Sequence, residues 1–428
     1  MREIAMKYRW QALAATLAPV CLAGTAQAAD APKSFGDPIT ITDGTTIDPI
    51  LDARLRFENV DTPTKGADAL TFRARFGFEV KNAPSHLAFL AEGSGTTSID
   101  GDYNGLSFIP AMANARYATV ADPETIDLNR LQVQFRTKAL GVTVGRQRIN
   151  LDDQRWVGSS GWRQNEQTFD AARVEAGVGP VSIDATYAIN QKTVFGSDAG
   201  PRRNYGGRFW FLGGTVKEGP FAVKGFAYLV DYNTEEQVPA LAASLADTQT
   251  YGVRATAALS LTRKVKLNLI GSFARQSNYK QNPANYGVDY ISGEGSLSYA
   301  GWTLDGGYEL LGSDGKGHAL QTPMATLHKF DGWADVFLTT PGNGLQDSYV
   351  GLSKALPKFK ALPGLNAGFV WHRFDSDVGN LHYGNEWDAS VGFRLGKVGL
   401  LAKYASFSAS APGFVDTTKY WLQAEYSF

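Results

Sequence analysis

Apolar and polar residues alternate one by one along two stretches near the start of the chain. In residues 51–58 the apolar side chains take odd positions and the charged ones even positions. In residues 72–81 the apolar side chains take even positions, and arginines or other polar residues fill most of the odd ones. A two-residue period gives a β-strand one apolar and one polar face, whereas a helix with this pattern would have no apolar face. Both stretches are therefore predicted to be strands.

Similar stretches recur along the rest of the chain, and with the first two they predict about eighteen strands. The further strands are expected at residues 87–95, 128–138, 141–149, 168–177, 181–190, 208–217, 221–232, 250–261, 264–275, 289–299, 302–311, 346–354, 365–374, 386–396, 398–407 and 419–428. Each segment alone is weak evidence, but the series as a whole indicates an all-β protein.

The links between these strands alternate between short and long. Short links lie at residues 82–85, 177–180, 217–220, 261–264 and 396–397. Long links lie at residues 96–127, 150–167, 234–249 and 312–345. Short turns on the periplasmic side and long loops outside are typical of outer-membrane barrels. We therefore predict a transmembrane antiparallel up-and-down β-barrel with infolded extracellular loops, and both termini in the periplasm.

The arginines in the first two strands indicate which face lines the lumen. An arginine that faces lipid near the membrane midplane costs about 2–4 kcal/mol, so Arg54, Arg56, Arg73 and Arg75 are predicted to point inward. The fifth strand is irregular, because its valines share parity with two arginines. We predict a β-bulge near Gly145 that turns Arg146 and Arg148 into the lumen.

The first 28 residues have the features of a secretory signal. Basic residues precede an apolar stretch at residues 10–24, and Ala26-Gln27-Ala28 follows it as a cleavage site. The predicted organisation is a signal peptide at 1–28, a short periplasmic segment at 29–45 and the barrel at 46–428. The single cysteine, Cys21, lies in the predicted signal, so the exported chain would contain no thiol chemistry.

Composition supports a β-rich protein and argues against a strongly charged partner. The chain has 46 Gly, 24 Phe, 18 Tyr and 9 Trp, and its formal net charge is −1. We find no basic-aromatic nucleic-acid motif and no paired histidines with metal-ligand spacing. The last predicted strand ends on Phe428, which resembles the assembly signal of Gram-negative outer-membrane barrels.

Two stretches of the chain resemble the alginate export family of outer-membrane proteins. They are residues 145–173, which begin Gly-Arg-Gln-Arg-Ile-Asn-Leu-Asp-Asp, and residues 325–341, which include His-Lys-Phe-Asp-Gly-Trp-Ala-Asp. The resemblance implies an eighteen-stranded barrel in which an arginine-rich lumen and infolded loops form an exit path for an anionic polysaccharide.

The charge of the first stretch independently favours an anion pathway. Residues 129–173 hold eight Lys and Arg residues and four acids. Arginines in a narrow lumen attract carboxylates and can bind them through two hydrogen bonds. The alternative is that aspartates and arginines pair across strands only to fill the barrel wall. The predicted pore-lining set is Arg54, Arg56, Arg73, Arg75, Arg130, Arg136, Arg146, Arg148, Arg155, Arg163, Arg173 and Arg394.

The long link at residues 312–345 is too apolar to lie free in water. Its apolar residues are Met324, Leu327, Phe330, Trp333, Val336, Phe337 and Leu338. We predict that this link packs into the barrel mouth as a constriction, with Phe330, Trp333 and Phe337 as its main side chains. The alternative is a stabilising cap with no gating role.

A short acidic stretch matches half of a calcium-binding loop. Asp100, Asp102 and Asn104 occupy positions one, three and five of the motif, and a glycine follows at position six. The carboxylate expected at position twelve is missing, because Ala111 stands there. A surface turn is the favoured interpretation, and no cofactor other than this candidate calcium is predicted.

Catalysis is not indicated, although some outer-membrane barrels are hydrolases. The chain has five histidines, and no Gly-x-Ser-x-Gly elbow surrounds a serine. Histidines in loops are usually hydrogen-bonding surface residues. We therefore predict that the protein is not an enzyme.

These observations lead to one main hypothesis and two alternatives. The main hypothesis is a passive outer-membrane channel for an anionic solute, by resemblance an alginate-like polysaccharide. An uptake porin for small organic acids or other nutrients would use the same barrel, and a soluble secreted β-protein would use the apolar faces as an interior. The expected partners are outer-membrane lipid, lipopolysaccharide and the solute, without nucleic acid, and the expected state is a monomer.

Overall fold

The computed structural model describes residues 36–233 and 246–428. In this part of the chain nineteen strands form one antiparallel sheet. They are β1 Ile39–Thr42, β2 Thr45–Asp61, β3 Gly66–Asn82, β4 Leu87–Asp102, β5 Thr125–Arg136, β6 Leu140–Gln147, β7 Thr168–Val178, β8 Val181–Lys192, β9 Asn204–Glu218, β10 Phe221–Tyr232, β11 Thr248–Ser260, β12 Val265–Asn278, β13 Gly287–Tyr299, β14 Trp302–Leu311, β15 Leu345–Leu356, β16 Leu365–Asp375, β17 His382–Leu395, β18 Val398–Ala409 and β19 Thr417–Ser427.

Strands β2 to β19 close into an eighteen-stranded up-and-down barrel. Each strand pairs with its neighbour in sequence, and the last strand pairs with β2, with Ala424 opposite Leu55. The backbone of Phe428 extends this seam, because its N–H and C=O groups bond the backbone of Leu51. Closure satisfies every strand edge, which a sheet in hydrocarbon requires. The short β1 is an addition outside the ring, paired with the start of β2.

Inward and outward faces follow the alternation predicted from the sequence. On β3 the arginines Arg73 and Arg75 are buried inside the barrel, whereas Phe72 and Phe76 are exposed on its outer face. Among the described residues, helices long and apolar enough to cross a membrane are absent. Single turns of 3-10 helix occur at Gly200–Arg202 and Leu327–Lys329.

The hairpin turns at one end of the barrel are short. Gly179-Pro180 and Gly219-Pro220 each form a complete two-residue turn, and both glycines have positive φ angles, +60° and +56°. A two-residue hairpin with glycine at its first central position needs this backbone, which other residues adopt poorly. These short turns lie on the same side as the start of β2 and Phe428, so the long loops gather at the opposite end.

The strand predictions were correct in number and placement, and less correct in length. Strands β2, β3 and β4 extend six or seven residues beyond the predicted bounds at one end, and the other fifteen agree within four residues. The predicted domain bounds remain a prediction, and the predicted signal peptide and residues 29–35 lie outside the described residues. Residues 36–45 hold β1 and the first residue of β2.

The predicted bulge at Gly145 was wrong. The register of β6 with both neighbouring strands is continuous, although Gly145 does have a φ of +118°. Strand β6 ends at Gln147, so Arg148 lies beyond the strand and turns inward from the following loop. Arg146 lies opposite Leu131, whose side chain is exposed on the outer face.

Candidate channel constriction

Two long loops from the extracellular end fold into the barrel. Loop A, residues 148–167, joins β6 to β7, and loop B, residues 312–344, joins β14 to β15. Their side chains are buried, among them Arg155 and Gln164 of loop A and Leu320 and Phe337 of loop B. The loops therefore occupy the lumen at the level where the barrel wall is most polar.

An arginine-rich wall on β2 and β3 binds loop A. Arg54 Nη1 donates to the carbonyl oxygens of Gly161 and Trp162, both at 3.1 Å, and Arg56 Nη2 donates to Trp162 O at 2.5 Å. Further along the loop, Arg75 Nη1 binds Glu166 Oε1 at 2.6 Å. Backbone carbonyls and one carboxylate of the loop thus satisfy guanidinium groups that water would otherwise have to solvate.

A carboxylate wall on β17 binds loop B in the complementary way. The backbone N–H of Trp333 donates to Asp388 Oδ2 at 3.1 Å, and that of Ala334 donates to Glu386 Oε1 at 2.7 Å. Gly332 precedes them with a φ of +81°, and a Cβ atom at this position would lie 2.5 Å from Glu386 Oε2. Only glycine lets the backbone approach the carboxylates this closely.

Ion pairs join the two loops to each other. Arg155 Nη2 lies 3.0 Å from Asp331 Oδ2, and Arg163 Nη2 lies 2.6 Å from Asp335 Oδ2. All four side chains are buried, so each of these charges needs ionic partners inside the lumen. Loops A and B, which we together call the plug, therefore form one cross-linked unit.

Lys403 of β18 lies at the centre of the plug. Its Nζ is 2.8 Å from His328 Nε2 and lies over the rings of Trp333 at 3.6 Å and Trp162 at 4.1 Å. His328 Nδ1 lies 2.8 Å from Asp335 Oδ1. Since the ammonium can only donate, Nε2 accepts and Nδ1 carries the proton. Burial lowers the pKa of His328 well below its usual range, which keeps the ring neutral.

The predicted arginines are brought together only in part. Arg54, Arg56, Arg73, Arg75, Arg155 and Arg163 are buried around the plug. Arg130 and Arg148 lie beside them and share Glu92, and their side chains keep 17% and 29% of their surface exposed. Arg173 faces inward lower in the barrel, where it pairs with Asp184. Arg136 and Arg394 lie at the end with the short turns, and both are exposed.

One expectation about this set needs correction. Arg146 is separate from the inward cluster and pairs with Asp170 at 2.8 Å. In addition, eleven of the twelve arginines form ion pairs with carboxylates, so most are not unoccupied anion sites. Their partners are Glu425, Asp122, Asp52, Glu166, Glu92, Glu175, Asp170, Glu309, Asp331, Glu58, Asp335 and Asp184.

Most of the apolar residues of loop B pack inside the barrel, although Leu338 is 41% exposed. Phe337 is buried with its ring 4.6 Å from that of Phe374, Trp333 contacts Lys403, and the Phe330 ring lies 4.8 Å from the Arg155 guanidinium carbon. Whether this packing gates a pore or only caps it remains a prediction. Sequence reasoning missed the binding of loop B by Glu386 and Asp388, although their inward parity on β17 was visible.

The calcium candidate does not assemble into a loop. Asp100 and Asp102 lie in β4, opposite Leu70 and Asp68, and their side chains are exposed. The Oδ1 atom of Asn104 accepts a hydrogen bond from the backbone of Asn114. Among the described residues, no group of three or more His, Cys, Asp or Glu side chains is arranged to hold a metal ion. Calcium binding remains an untested hypothesis with less geometric support than the motif implied.

Loop A should loosen in acid because of Glu166. Burial alone would raise the pKa of this carboxyl, but Arg75 and Arg148 lower it to about 2. A lowered folded pKa stabilises the docked loop above the carboxyl's ordinary pKa, and this stabilisation is lost as the pH falls toward 2. We expect protease cleavage within loop A to accelerate about tenfold or more between roughly pH 6 and pH 3.

The matched control for this acid effect is the Glu166→Gln variant. Glutamine has no proton to gain, so cleavage in the variant should be faster at all pH values and should lack most of the acid step. Pepsin measures the cleavage rate at acid pH, and a neutral protease measures it near pH 6. An acid step of equal size in wild type and variant would show that other carboxyls control the loop.

Comparison with known sequences identifies the family. A sequence model described as alginate export matches residues 51–313, which is more than half of the chain. The chain belongs to the alginate export family. The matched region of this alginate export family protein runs from β2 to just past β14 and includes loop A and every predicted pore-lining arginine except Arg394. No match was found among curated protein sequences.

Solved structures with the same fold are outer-membrane proteins. OccK3 (OpdO) of Pseudomonas aeruginosa is similar with a TM-score of 0.65 and 16% identity, covering 89% of this chain and 95% of that one. OccAB3 of Acinetobacter baumannii has a TM-score of 0.67 and 13% identity, covering 89% of this chain and 99% of that one. OpdK of P. aeruginosa with vanillate has a TM-score of 0.67 and 12% identity, covering 89% of this chain and 98% of that one. The structures show the barrel fold, and membership of the alginate export family makes this protein an outer-membrane channel.

Proposed function

We propose that this channel passes an anionic solute by passive diffusion, and that the solute is an acidic polysaccharide such as alginate moving outward. The observation that carries the proposal is the arginine-rich wall. Six inward arginines on β2, β3, β5 and loop A meet five carboxylates, an excess of one positive charge: Arg54, Arg56, Arg73, Arg75, Arg130 and Arg148 against Asp52, Glu92, Asp122, Glu166 and Glu425.

The exposed members of this wall are suited to weak binding. Arg130 and Arg148 keep part of their surface exposed while they share Glu92. A passing carboxylate can compete for guanidinium donors already held by a neighbouring acid, so binding is weak enough to permit release. In this proposal the protein changes nothing chemically in its solute, and one chain forms a complete channel.

Planar-bilayer recording tests the charge preference. Under a potassium chloride gradient the reversal potential should indicate anion preference, because the arginine-rich wall carries excess positive charge. The double variant Arg130→Gln/Arg148→Gln should lose most of that preference. Arg208→Gln is the matched control, since Arg208 lies on the outward face of β9 and is 62% exposed. Cation preference in the wild type would contradict the proposal.

Oligomeric uronic acids test the substrate class. Added to the bilayer chamber, they should interrupt the current in a length-dependent way, while neutral oligosaccharides of equal length should not. Blockade by neutral and acidic sugars alike would refute selective passage of an acidic polysaccharide.

A second candidate is an uptake porin for small organic acids. The plug favours it, because loops that fill the lumen leave little width for a polymer, and the solved OpdK structure contains vanillate, a small carboxylate. Liposome swelling with monomeric organic acids compared with uronate oligomers separates the two candidates. Rapid entry of monomers with exclusion of every oligomer would favour uptake.

A further inference from the structure

A cleft of about 570 Å³ lies on the outer face of the barrel at its extracellular end, on the opposite side of the barrel wall from the plug. It is bounded by the turn between β2 and β3, by the ends of β4, β18 and β19, and by residues 116–117 of the loop after β4. We call it the rim cleft. The residues used in the argument are Asn59, Lys65, Asp68, Asp102, Arg116 and Tyr420.

The strand register places the rim cleft at the edge of the apolar band. Leu422, Phe57 and Leu70 lie opposite one another on adjacent strands and face outward. Two residues toward the extracellular end, the same strands present Tyr420, Asn59 and Asp68. Aromatic and polar side chains replace apolar ones where hydrocarbon gives way to lipid headgroups.

The outward row of Tyr420, Asn59 and Asp68 continues across five strands, with aromatic residues at one end and carboxylates at the other. Tyr404 lies opposite Tyr420, with ring centroids 5.1 Å apart, and Asp68 lies opposite Asp102 at the other end. Like charges directly opposite one another destabilise a sheet unless something binds between them. Asn59 Nδ2 satisfies one oxygen, since it lies 2.9 Å from Asp68 Oδ1.

Positive charge stands above the carboxylates. Lys65 and Arg116 are both exposed and line the same cleft. The cleft therefore offers two cationic donors, the three carboxylates of Asp61, Asp68 and Asp102, and an aromatic face, all directly above an apolar surface. A phosphate group binds the cationic donors, sugar hydroxyls donate hydrogen bonds to the carboxylates, and a sugar ring packs on the aromatic face.

We propose that the rim cleft binds the phosphorylated sugar headgroup of an outer-leaflet lipid. In this arrangement Lys65 and Arg116 bind phosphate, Asp68 and Asp102 accept hydrogen bonds from sugar hydroxyls, and Tyr420 lies beneath the sugar ring. The acyl chains run down the outward row that contains Leu422. The apolar row favours a lipid over a soluble sugar phosphate. The site is independent of the solute that the channel carries.

Native mass spectrometry of the purified barrel with bisphosphorylated lipid A tests this site. We expect the double variant Lys65→Gln/Arg116→Gln to bind lipid A about tenfold more weakly than wild type, which is a loss of about 1.4 kcal/mol. The matched control is Lys280→Gln/Lys316→Gln, which removes the same charge from two exposed lysines in other extracellular loops. This control should bind like wild type.

Each result bears directly on the proposal. An equal loss of lipid A affinity in both double variants would mean general electrostatic attraction and would overturn the proposal. No loss of affinity in either variant would mean that the cleft does not bind lipid A, which would also overturn it. Soluble glucosamine phosphate is added as a competitor, and displacement of lipid A at comparable concentration would overturn the choice of a lipid. Heat-modifiable migration on gels verifies that the variants are folded, and their anion preference in bilayers should be unchanged.

Discussion

Replacing residues 323–338 of loop B with a short glycine–serine linker is expected to raise the single-channel conductance several-fold. The replacement removes Phe330, Trp333 and Phe337 from the lumen. It also removes Asp331 and Asp335, so Arg155 and Arg163 lose their partners in loop B. Loop A would then keep its contacts with the barrel wall but lose its ion pairs to loop B, and the plug as a whole should widen.

The control for this deletion lies in the same loop. Residues 315–317 are exposed at its outer end, and none of the ion pairs that join loop A to loop B involves them. A glycine–serine exchange there should leave conductance unchanged. If the large replacement also left conductance unchanged, loop B would be a stabilising cap, and the constriction would have to lie elsewhere. An increase in both variants would indicate a general disturbance of the loops.

The barrel could be predicted from the sequence because the membrane imposes a local rule. Each strand must turn apolar side chains to lipid and polar ones to the lumen, so the period of two is visible without knowing any partner strand. The rule stops where the strand leaves hydrocarbon. Asp68 and Asp102 belong to such extensions, which explains why β3 and β4 were predicted too short.

The plug was only half predictable, for a different physical reason. In loop B, apolar residues such as Phe337 indicate burial from the sequence alone. Loop A is polar, and it is buried because Arg54, Arg56 and Arg75 on distant strands bind its backbone and Glu166. That complementarity depends on the closed barrel, which brings together residues about a hundred positions apart. A single sequence carries no local signal for it.

The mistaken bulge at Gly145 illustrates the same limit. Val144 and Arg148 share parity in the sequence although their side chains face opposite sides of the barrel wall. A bulge and a strand end both produce this pattern in a sequence. The strand ends at Gln147, and Arg148 turns inward to reach Glu92 and Glu166. Only the positions of those two acids distinguish the alternatives.

The Arg75→Met variant should lower the free energy of unfolding by about 3–5 kcal/mol, because it leaves Glu166 buried with one of its two cationic partners removed. Arg75 also donates to the backbone of Gln164, so loop A should become accessible to protease. Urea titration in detergent, followed by tryptophan fluorescence, measures the stability. The matched control is Arg136→Met, whose pair with Glu175 is exposed and should contribute less than about 1 kcal/mol.

The double variant Arg75→Met/Glu166→Met decides whether the pair itself is responsible. With both charges removed, no carboxylate is left buried without Arg75, and much of the lost stability should return. Arg148 would keep Glu92 as its partner. If the two substitutions simply added, the loss in Arg75→Met would come from packing and from the Gln164 hydrogen bond. Loop A would then be held by its backbone contacts to the arginine-rich wall, and the charge on Glu166 would matter little.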